Sequence, residues 1–488
     1  MIADINTAFS SGAEVAPLDD SISARVTLTR PQRSVLILGA LLLAALLAVA
    51  PFETLTGLVA VVTLLYVAAF VYRLRLFWGS LTAPRIVSIT DAEARAIPDA
   101  ELPAYTILVP AYREPEVISR LLAELDRLEY PKHKLDIKLL LEMDDLATWE
   151  AALAAAPGPH VEIIRVPPKG PKTKPNACNV GLARARGRYV TIFDAEDRPE
   201  PLQLRKAVLG FRRVDSNVAC LQARLTYYNG DQNLLTRWFA TEYAMWFSQL
   251  LPGLVARRAP VPLGGTSNHF RRDILVQLGG WDPYNVTEDA DLGIRLHRHG
   301  LRTEILDSET FEEANSDFIN WQKQRSRWYK GYLQTWLVHM RSPRALLRDL
   351  GVRGFVGFSL FVGGTPLLAL INPLFWVMTL LWFLAAPAFI AALFPWWLYY
   401  LASLCLLLGN ATFFYTTLVS ARLTNRPGLV LASLLVPIYW VMMSIAALKA
   451  AIQLVTSPSF WEKTAHGLDR PRVPPVPSAL PDAERPAA

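Results

Sequence analysis

Apolar runs too long for a soluble core stand near both ends of this chain, and they constrain its fold more than any other feature. Val35 to Val49 and Leu55 to Tyr72 make a first pair. Phe355 to Ile371, Leu374 to Phe394, Trp396 to Val419 and Leu429 to Val455 make a second block. Each approaches the roughly 20 residues that cross a bilayer. Across all 488 residues, 52% are hydrophobic while 19% are charged. That mixture excludes an ordinary soluble enzyme and a pure membrane bundle alike. It specifies membrane helices joined to a water-soluble domain.

The arginines orient the first pair. Arg25, Arg30 and Arg33 precede it, Arg73 and Arg75 follow it, and the turn Ala50 to Thr54 holds no Lys or Arg. By the positive-inside rule both flanks are cytoplasmic, which makes an in-out-in hairpin. A cleaved signal peptide does not fit, because the polar leader is long and a second apolar run follows at once. Four crossings in the second block would return the tail to the cytoplasm, but would leave Arg422 and Arg426 outside, against the rule. A bend at Gly363-Gly364-Thr365-Pro366 would lower the count by one and move the tail outside.

Between the blocks, strand and helix signals alternate. Tyr105 to Val109, Leu135 to Met143, Val161 to Val166 and Tyr189 to Phe193 read as strands. Helical spacing follows Pro115, and Asn176 to Arg186 reads as a further helix. Such alternation gives a mostly parallel sheet with right-handed crossovers. Two strands end in carboxylates: Asp144 and Asp145 after the second, then Asp194, Glu196 and Asp197 after the fourth. Ligands bind beyond the carboxyl ends of strands in open α/β sheets. Acidic residues spaced i, i+2 there can share one divalent cation through oxygen. Thr287-Glu288-Asp289 opens a helix that stops near Gly300, and Asp317 to Met340 mixes tryptophans with Lys and Arg, as interfacial helices do.

The formal net charge of +6 comes without a dense basic block carrying stacking aromatics, so nucleic acid is not an expected partner. Cys178, Cys220 and Cys405 are scattered and show no disulfide or zinc spacing.

Taken together, these residues resemble the processive, membrane-integrated family 2 glycosyltransferases, the group of cellulose, hyaluronan, chitin and curdlan synthases. The resemblance runs from about Leu102 to Met340. Val109 to Pro115 is similar to the nucleotide-binding opening, and Lys172 to Asn179 to the family's lysine segment. Asp194 to Asp197 stands at the metal-binding DxD position, with Glu196 in place of the usual second Asp. Gly264-Gly265-Thr266 lies in the acceptor region. Thr287-Glu288-Asp289 and Gln324-Arg325-Ser326-Arg327-Trp328 complete the set. Phe460 to Gly467 loosely resembles a gating loop, with Lys463 and Thr464 as nucleotide contacts.

The resemblance implies a GT-A-type α/β domain beside a transmembrane bundle, in a multi-pass protein of a bacterial inner membrane with the catalytic domain cytoplasmic. Its expected partition is a disordered tail over 1–31, two membrane helices over 32–78 and the transferase domain over 100–315. Interface helices follow over 316–352, about four membrane helices over 353–456 and a tail over 457–488. It implies an inverting, Mg2+- or Mn2+-dependent transfer from a UDP-sugar to a growing β-linked polysaccharide, with accessory export subunits as further candidate partners. Asp194 and Glu196 would hold the metal, and Asp197 can share that task. Tyr112, Glu114, Asp144, Lys174, Asp194, Gln324, Arg327, Trp328 and Lys463 would bind the donor. Asp289, beside Glu288, would act as general base. Gly265, Thr266, Trp281 and Trp328 would meet the acceptor. Two rivals remain open: a single transfer to a lipid-linked acceptor, and an export scaffold without catalysis.

Overall fold

The computed structural model describes residues 15–426 and 428–463. Two helices open it, α1 (Arg30–Val49) and α2 (Pro51–Thr82). Thr29 caps α1 through a reciprocal bond with Gln32, and Pro51 starts α2 where its missing N–H costs nothing. No residue of α1 is buried, as suits a helix solvated by lipid.

Among the described residues nine strands then form one mixed, mostly parallel sheet. They are β1 (Ile86–Val87), β2 (Tyr105–Ala111), β3 (Leu135–Glu142), β4 (Val161–Val166), β5 (Tyr189–Ile192), β6 (Arg198–Pro199), β7 (Val218–Tyr227), β8 (Asn268–Arg271) and β9 (Arg302–Glu312). The order is β1-β9-β7-β8-β5-β2-β3-β4, with β6 added to β9. β2 lies between β3 and β5, parallel to both. The two carboxylate-ended strands therefore end on one edge, as the sequence implies. Every residue of β3 is buried, the pattern of a parallel strand covered on both faces.

Four helices matter for the site. α3 (Lys174–Ala183) enters the sheet's edge, α4 (Leu234–Met245) follows β7, α5 (Glu288–Arg298) follows β8, and α6 (Phe318–His339) leaves the domain. α6 differs from an interfacial helix. Trp321, Gln324, Arg325, Lys330 and Gln334 are all buried, because α6 lies between helices of the α/β domain and a later apolar helix. Its polar groups are matched inside: Arg325 forms a two-pronged pair with Glu242, and Gln334 donates to Pro458 O at 2.9 Å.

The second block holds three long apolar helices where four runs were expected. Phe355 to Ile371 and the following run join in one 43-residue span, Pro343–Ala385. Within it, α7 (Pro343–Phe358) bends at Gly351, whose φ of 65° is left-handed. A π-turn at Ser359–Gly363 then leads into α8 (Gly364–Ala385). Gly363 and Gly364 of the Gly-Gly-Thr-Pro motif keep helical dihedrals, so the motif does not end the helix. α9 (Trp396–Leu423) and α10 (Val436–Thr456) follow, and five helices among the described residues are long and apolar enough to cross a membrane. Both ends of α10 rest on the catalytic domain. Tyr439 donates to Glu242 at 2.7 Å, and beyond the other end Lys330 donates to Phe460 O at 2.6 Å.

The expected mobile leader is partly ordered. Ser23 and Ala24 bond both oxygens of Asp282, and Arg341 holds the carbonyls of Asp20, Ser23 and Val26. Residues 1–14 lie outside the described residues. So do Thr464 to Gly467 of the gating-like segment and the tail beyond it.

Candidate active site

A tight loop, Gly264-Gly265-Thr266, gathers three elements at the carboxylate edge. Gln222 of β7 holds it, accepting from Gly264 N at 2.8 Å and donating to Thr266 O at 3.1 Å. Lys174, the first residue of α3, donates to Gly265 O at 2.7 Å and pairs with Asp194 Oδ1 at 2.5 Å. Asp289, in the first turn of α5, sets Oδ2 against Gly265, where an added Cβ would lie 3.4 Å away. Lys174, Asp194 and Asp289, distant in sequence, thus meet around one glycine.

α6 fixes the start of α5 from behind. Val286 N donates to Gln334 Oε1 at 3.2 Å, and Asn285 bonds Thr335 at 3.0 Å. Gly331 packs so closely that a Cβ there would fall 2.4 Å from the Thr287 side chain. Deeper in α5, Asp291 is bound by Arg295 at 2.8 Å and His339 at 3.1 Å. Glu288 is buried and Asp289 half-buried at the cavity wall, and loss of water raises both carboxyls above the usual range. Asp289 adds charge beside Glu288 and Asp194 adds charge beside Asp289, while Lys174 pulls both back. Burial alone would lower Lys174, yet Asp194 and Glu288 raise it.

Of the acidic turn, Asp194 and Glu196 line the cavity. Asp197 turns inward. It is 2% exposed, accepts from Asp194 N at 2.8 Å and from the Thr266 hydroxyl, and leaves Oδ1 buried without a hydrogen-bond partner. Burial and the charges of Asp194 and Glu196 push it well above the ordinary carboxylate range. Glu312, at the end of β9, joins the same cavity and is raised by the same causes, burial first. Among the described residues no three His, Cys, Asp or Glu side chains close around an ion. An all-oxygen pair with surplus negative charge does fit Mg2+ or Mn2+, which often take one or two carboxylates and complete their shell from phosphates and water.

The residues expected to meet the donor gather at one end of the cavity. Tyr112 follows Ala111 at the end of β2, beside Arg113, whose φ of 55° is left-handed. Tyr112 reaches Asp144 at 3.4 Å, and Asp144 pairs with Lys172 at 2.7 Å. Lys463 lies over the Tyr112 ring at 5.5 Å, bonds Tyr112 O and reaches Glu114 at 3.4 Å. Arg327 stacks on Trp461 at 4.6 Å, in the field of Glu288, Asp194 and Asp289. Gln324 lines the cavity and accepts from Asn315 at 2.9 Å, while Trp328 stacks on Tyr243 under Arg325.

Two acceptor expectations are corrected. Trp281 is 1% exposed and packs edge-on against Phe270, so no sugar can stack on it. Thr266 is buried and donates to Ile192 O, so it shapes the loop without facing the cavity. Sequence reasoning missed Gln222 and Glu312, and it named Lys172 in the lysine segment without giving it a role of its own. Glu312 had a signal, a carboxylate at a strand's carboxyl end, but the polar alternation of β9 hid the strand. Gln222 had none, since its role depends on pairing across the sheet.

The cavity, about 990 Å3, does not stop at the sheet. It continues between α2, α8 and α9, lined by Tyr66, Phe70, Phe375, Trp376, Trp382 and Phe413 among others.

Known proteins resemble this chain in sequence and fold. The chain is 29% identical over 238 residues to a protein named "Probable glycosyltransferase YdaM" of Bacillus subtilis, covering 47% of this chain and 56% of that one. It is 28% identical over 276 residues to a β-monoglucosyldiacylglycerol synthase of Synechocystis, covering 54% and 56%. It is 28% identical over 241 residues to a glucomannan 4-β-mannosyltransferase of rice, named as probable, covering 47% and 41%. The chain spans about half the length of the curated relatives it matches. A mannosyltransferase of Pyrobaculum calidifontis, solved with GDP-mannose and Mn2+, shares the GT-A-like fold. Its TM-score is 0.51 at 18% identity, over 83% of this chain and 99% of that one. Residues 189–456, more than half of the chain, match glycosyl transferase family group 2, and the chain belongs to that family.

Proposed function

We propose that this protein transfers a sugar from a nucleoside diphosphate sugar to the hydroxyl of a lipid acceptor at the membrane surface, inverting the anomeric carbon. The observation that carries this reading is the cavity that joins the carboxylate cluster to an apolar gap between α2, α8 and α9. Lipid tails are satisfied by such a lining, whereas a hydrated sugar chain loses hydrogen bonds there. A relative named for glucosyldiacylglycerol synthesis supports the same acceptor class.

The base and ribose would lie by Tyr112, Glu114 and Asp144, with Lys463 closing over them. The diphosphate would face Lys174 and Arg327, fixed positive charge in a partly dry site. Asp194 and Glu196 would hold Mg2+ or Mn2+, which neutralises charge on the departing diphosphate oxygens. Asp289 Oδ2 would take the acceptor's proton as its oxygen attacks the sugar's anomeric carbon. Burial suits it to this task, because a raised carboxyl is a stronger base. Trp328 would border the acceptor sugar or headgroup.

The test incubates purified protein with labelled UDP-glucose or GDP-mannose, Mg2+ or Mn2+, and lipid. Label that partitions into organic solvent as one glycolipid supports the reading. Label that precipitates as long polymer with none in the lipid phase defeats it.

A second reading, polymer synthesis with passage through the cavity, draws on the aromatic faces of Trp376, Trp382, Phe413 and Trp440 and on the glucomannan-transferase relative. Sealed vesicles distinguish it: polymer would collect on the side opposite the catalytic domain.

A further inference from the structure

We propose that the acceptor lipid carries a phosphate, and that Arg73 grips it where the cavity passes from the catalytic domain to the membrane helices. This rests on the lipid-acceptor reading and names the headgroup chemistry.

Thr63, Tyr66, Phe70, Arg73 and Phe77 line the cavity from α2 at steps of three and four residues, which is one helix face. Arg73 is therefore aimed inward, unlike an arginine that reaches along a lipid-facing surface to the headgroups. Protein surrounds it, yet its side chain stays exposed, because the open side is the cavity itself. Its hydrogen bond is to Thr365 Oγ1 at 3.4 Å, a long one, and Thr365 in turn donates to Phe361 O. Glu242, whose field reaches Arg73, is already held by Arg325 and Tyr439. Five guanidinium donors thus face a space with one weak partner. Apart from Arg73, the cavity lining contributed by α2, α8 and α9 contains no Asp, Glu, Lys or Arg.

A cation at the end of a membrane helix that faces a ligand space, and not the headgroups, is placed for a ligand of opposite charge. Its planar fork matches phosphate oxygens two at a time. The order of the lining then dictates the order of the ligand. Apolar tails lie between α8 and α9, the phosphate at Arg73 and Thr365, and the hydroxyl near Asp289. Neutral diacylglycerol would leave the guanidinium unmatched. In the reaction, the hydroxyl oxygen bonds to the sugar's anomeric carbon and its proton goes to Asp289. The bond from that carbon to the nucleoside diphosphate breaks, with its electron pair leaving on the diphosphate. The phosphate at Arg73 takes no part in bond exchange.

Two lipid types share this chemistry, glycerophospholipids with a free headgroup hydroxyl and saccharides linked to an isoprenoid diphosphate. The test uses full-length protein in nanodiscs with labelled UDP-glucose or GDP-mannose. Acceptors are diacylglycerol, phosphatidylglycerol and an isoprenoid diphosphate-linked monosaccharide. Lipid retention by native mass spectrometry is measured beside turnover, for wild type, Arg73→Gln and Arg73→Lys. Phosphate-bearing lipids, of whichever type, should be retained and glycosylated in preference to diacylglycerol. Arg73→Gln should lose about tenfold or more of that retention, the weight of a charged hydrogen bond. Arg73→Lys should recover part of it at an unchanged melting temperature. Equal use of diacylglycerol by wild type, or equal phospholipid retention by a folded Arg73→Gln protein, overturns the proposal. Should Arg73→Gln not fold, the wild-type preference and the Arg73→Lys affinity decide. If the product is polymer alone, the lipid-acceptor reading falls, and retention still decides whether Arg73 holds phosphate.

Discussion

Asp289 concentrates the chemistry proposed for this site. Asp289→Asn keeps the shape and removes the base, so turnover should fall about 10²- to 10⁴-fold with little change in donor affinity. Steady-state rates and donor titration by calorimetry would check this. Burial raises this carboxyl, and a base must be unprotonated to work. The rate should therefore fall as pH drops through a value above the ordinary Asp pKa of about 4. An acid limb in log kcat/KM at or below that value would contradict the assignment. Trp281 makes the opposite case. Since it is buried against Phe270, Trp281→Ala should cost about 3–5 kcal/mol of stability. Its effect on acceptor KM should be slight in whatever folded fraction remains, which a thermal melt and acceptor titration can separate.

At the scale of elements, the contact between α6 and the start of α5 governs the site. Gly331→Ala would drive a methyl into Thr287, directly before Glu288 and Asp289. Overpacking of this kind costs about 1–3 kcal/mol. Because the strained atoms adjoin the proposed base, kcat should drop further than the melting temperature alone accounts for. The elements themselves were unequally legible. β2, β3, β4 and β5 stand out in sequence, because buried parallel strands are continuous apolar runs with β-branched residues. β7, β8 and β9 do not, since β8 is short and β9 alternates Glu and Thr with apolar residues. Their identity as strands comes from pairing with one another. α6 was legible as a helix but not in its surroundings. Its tryptophans and basic residues look interfacial until Glu242, Tyr439 and the segment after α10 are seen to enclose them.

For the whole molecule, the arginine conflict in the second block has a structural answer. Arg426 donates to Tyr227 O at 3.0 Å, so the end of α9 rests on the catalytic domain. Both ends of α10 do too. Were α8 and α9 one out-and-back pair like α1 and α2, with α10 held along the α/β domain, Arg422 and Arg426 would stand on the same side as the other arginines, as the positive-inside rule requires. A cysteine at Asn425 should react with an impermeant thiol reagent from the catalytic side of sealed vesicles. Labelling from the opposite side would restore a crossing for α10.

The sequence by itself determined the elements and the order of the candidate residues along the chain: long apolar helices around an α/β domain, carboxylates at strand ends, a lysine segment, the Thr-Glu-Asp and Gln-x-x-Arg-Trp motifs. Those signals are local, set by runs and spacings of a few residues, so one dimension suffices to carry them. Only the tertiary structure decided that Lys174, Asp194 and Asp289 meet at Gly265, that Trp281 and Thr266 face the core, and that Arg73 faces a cavity. Each of these depends on contacts between residues far apart in the chain, and burial and pairing at such distances leave no period in the sequence.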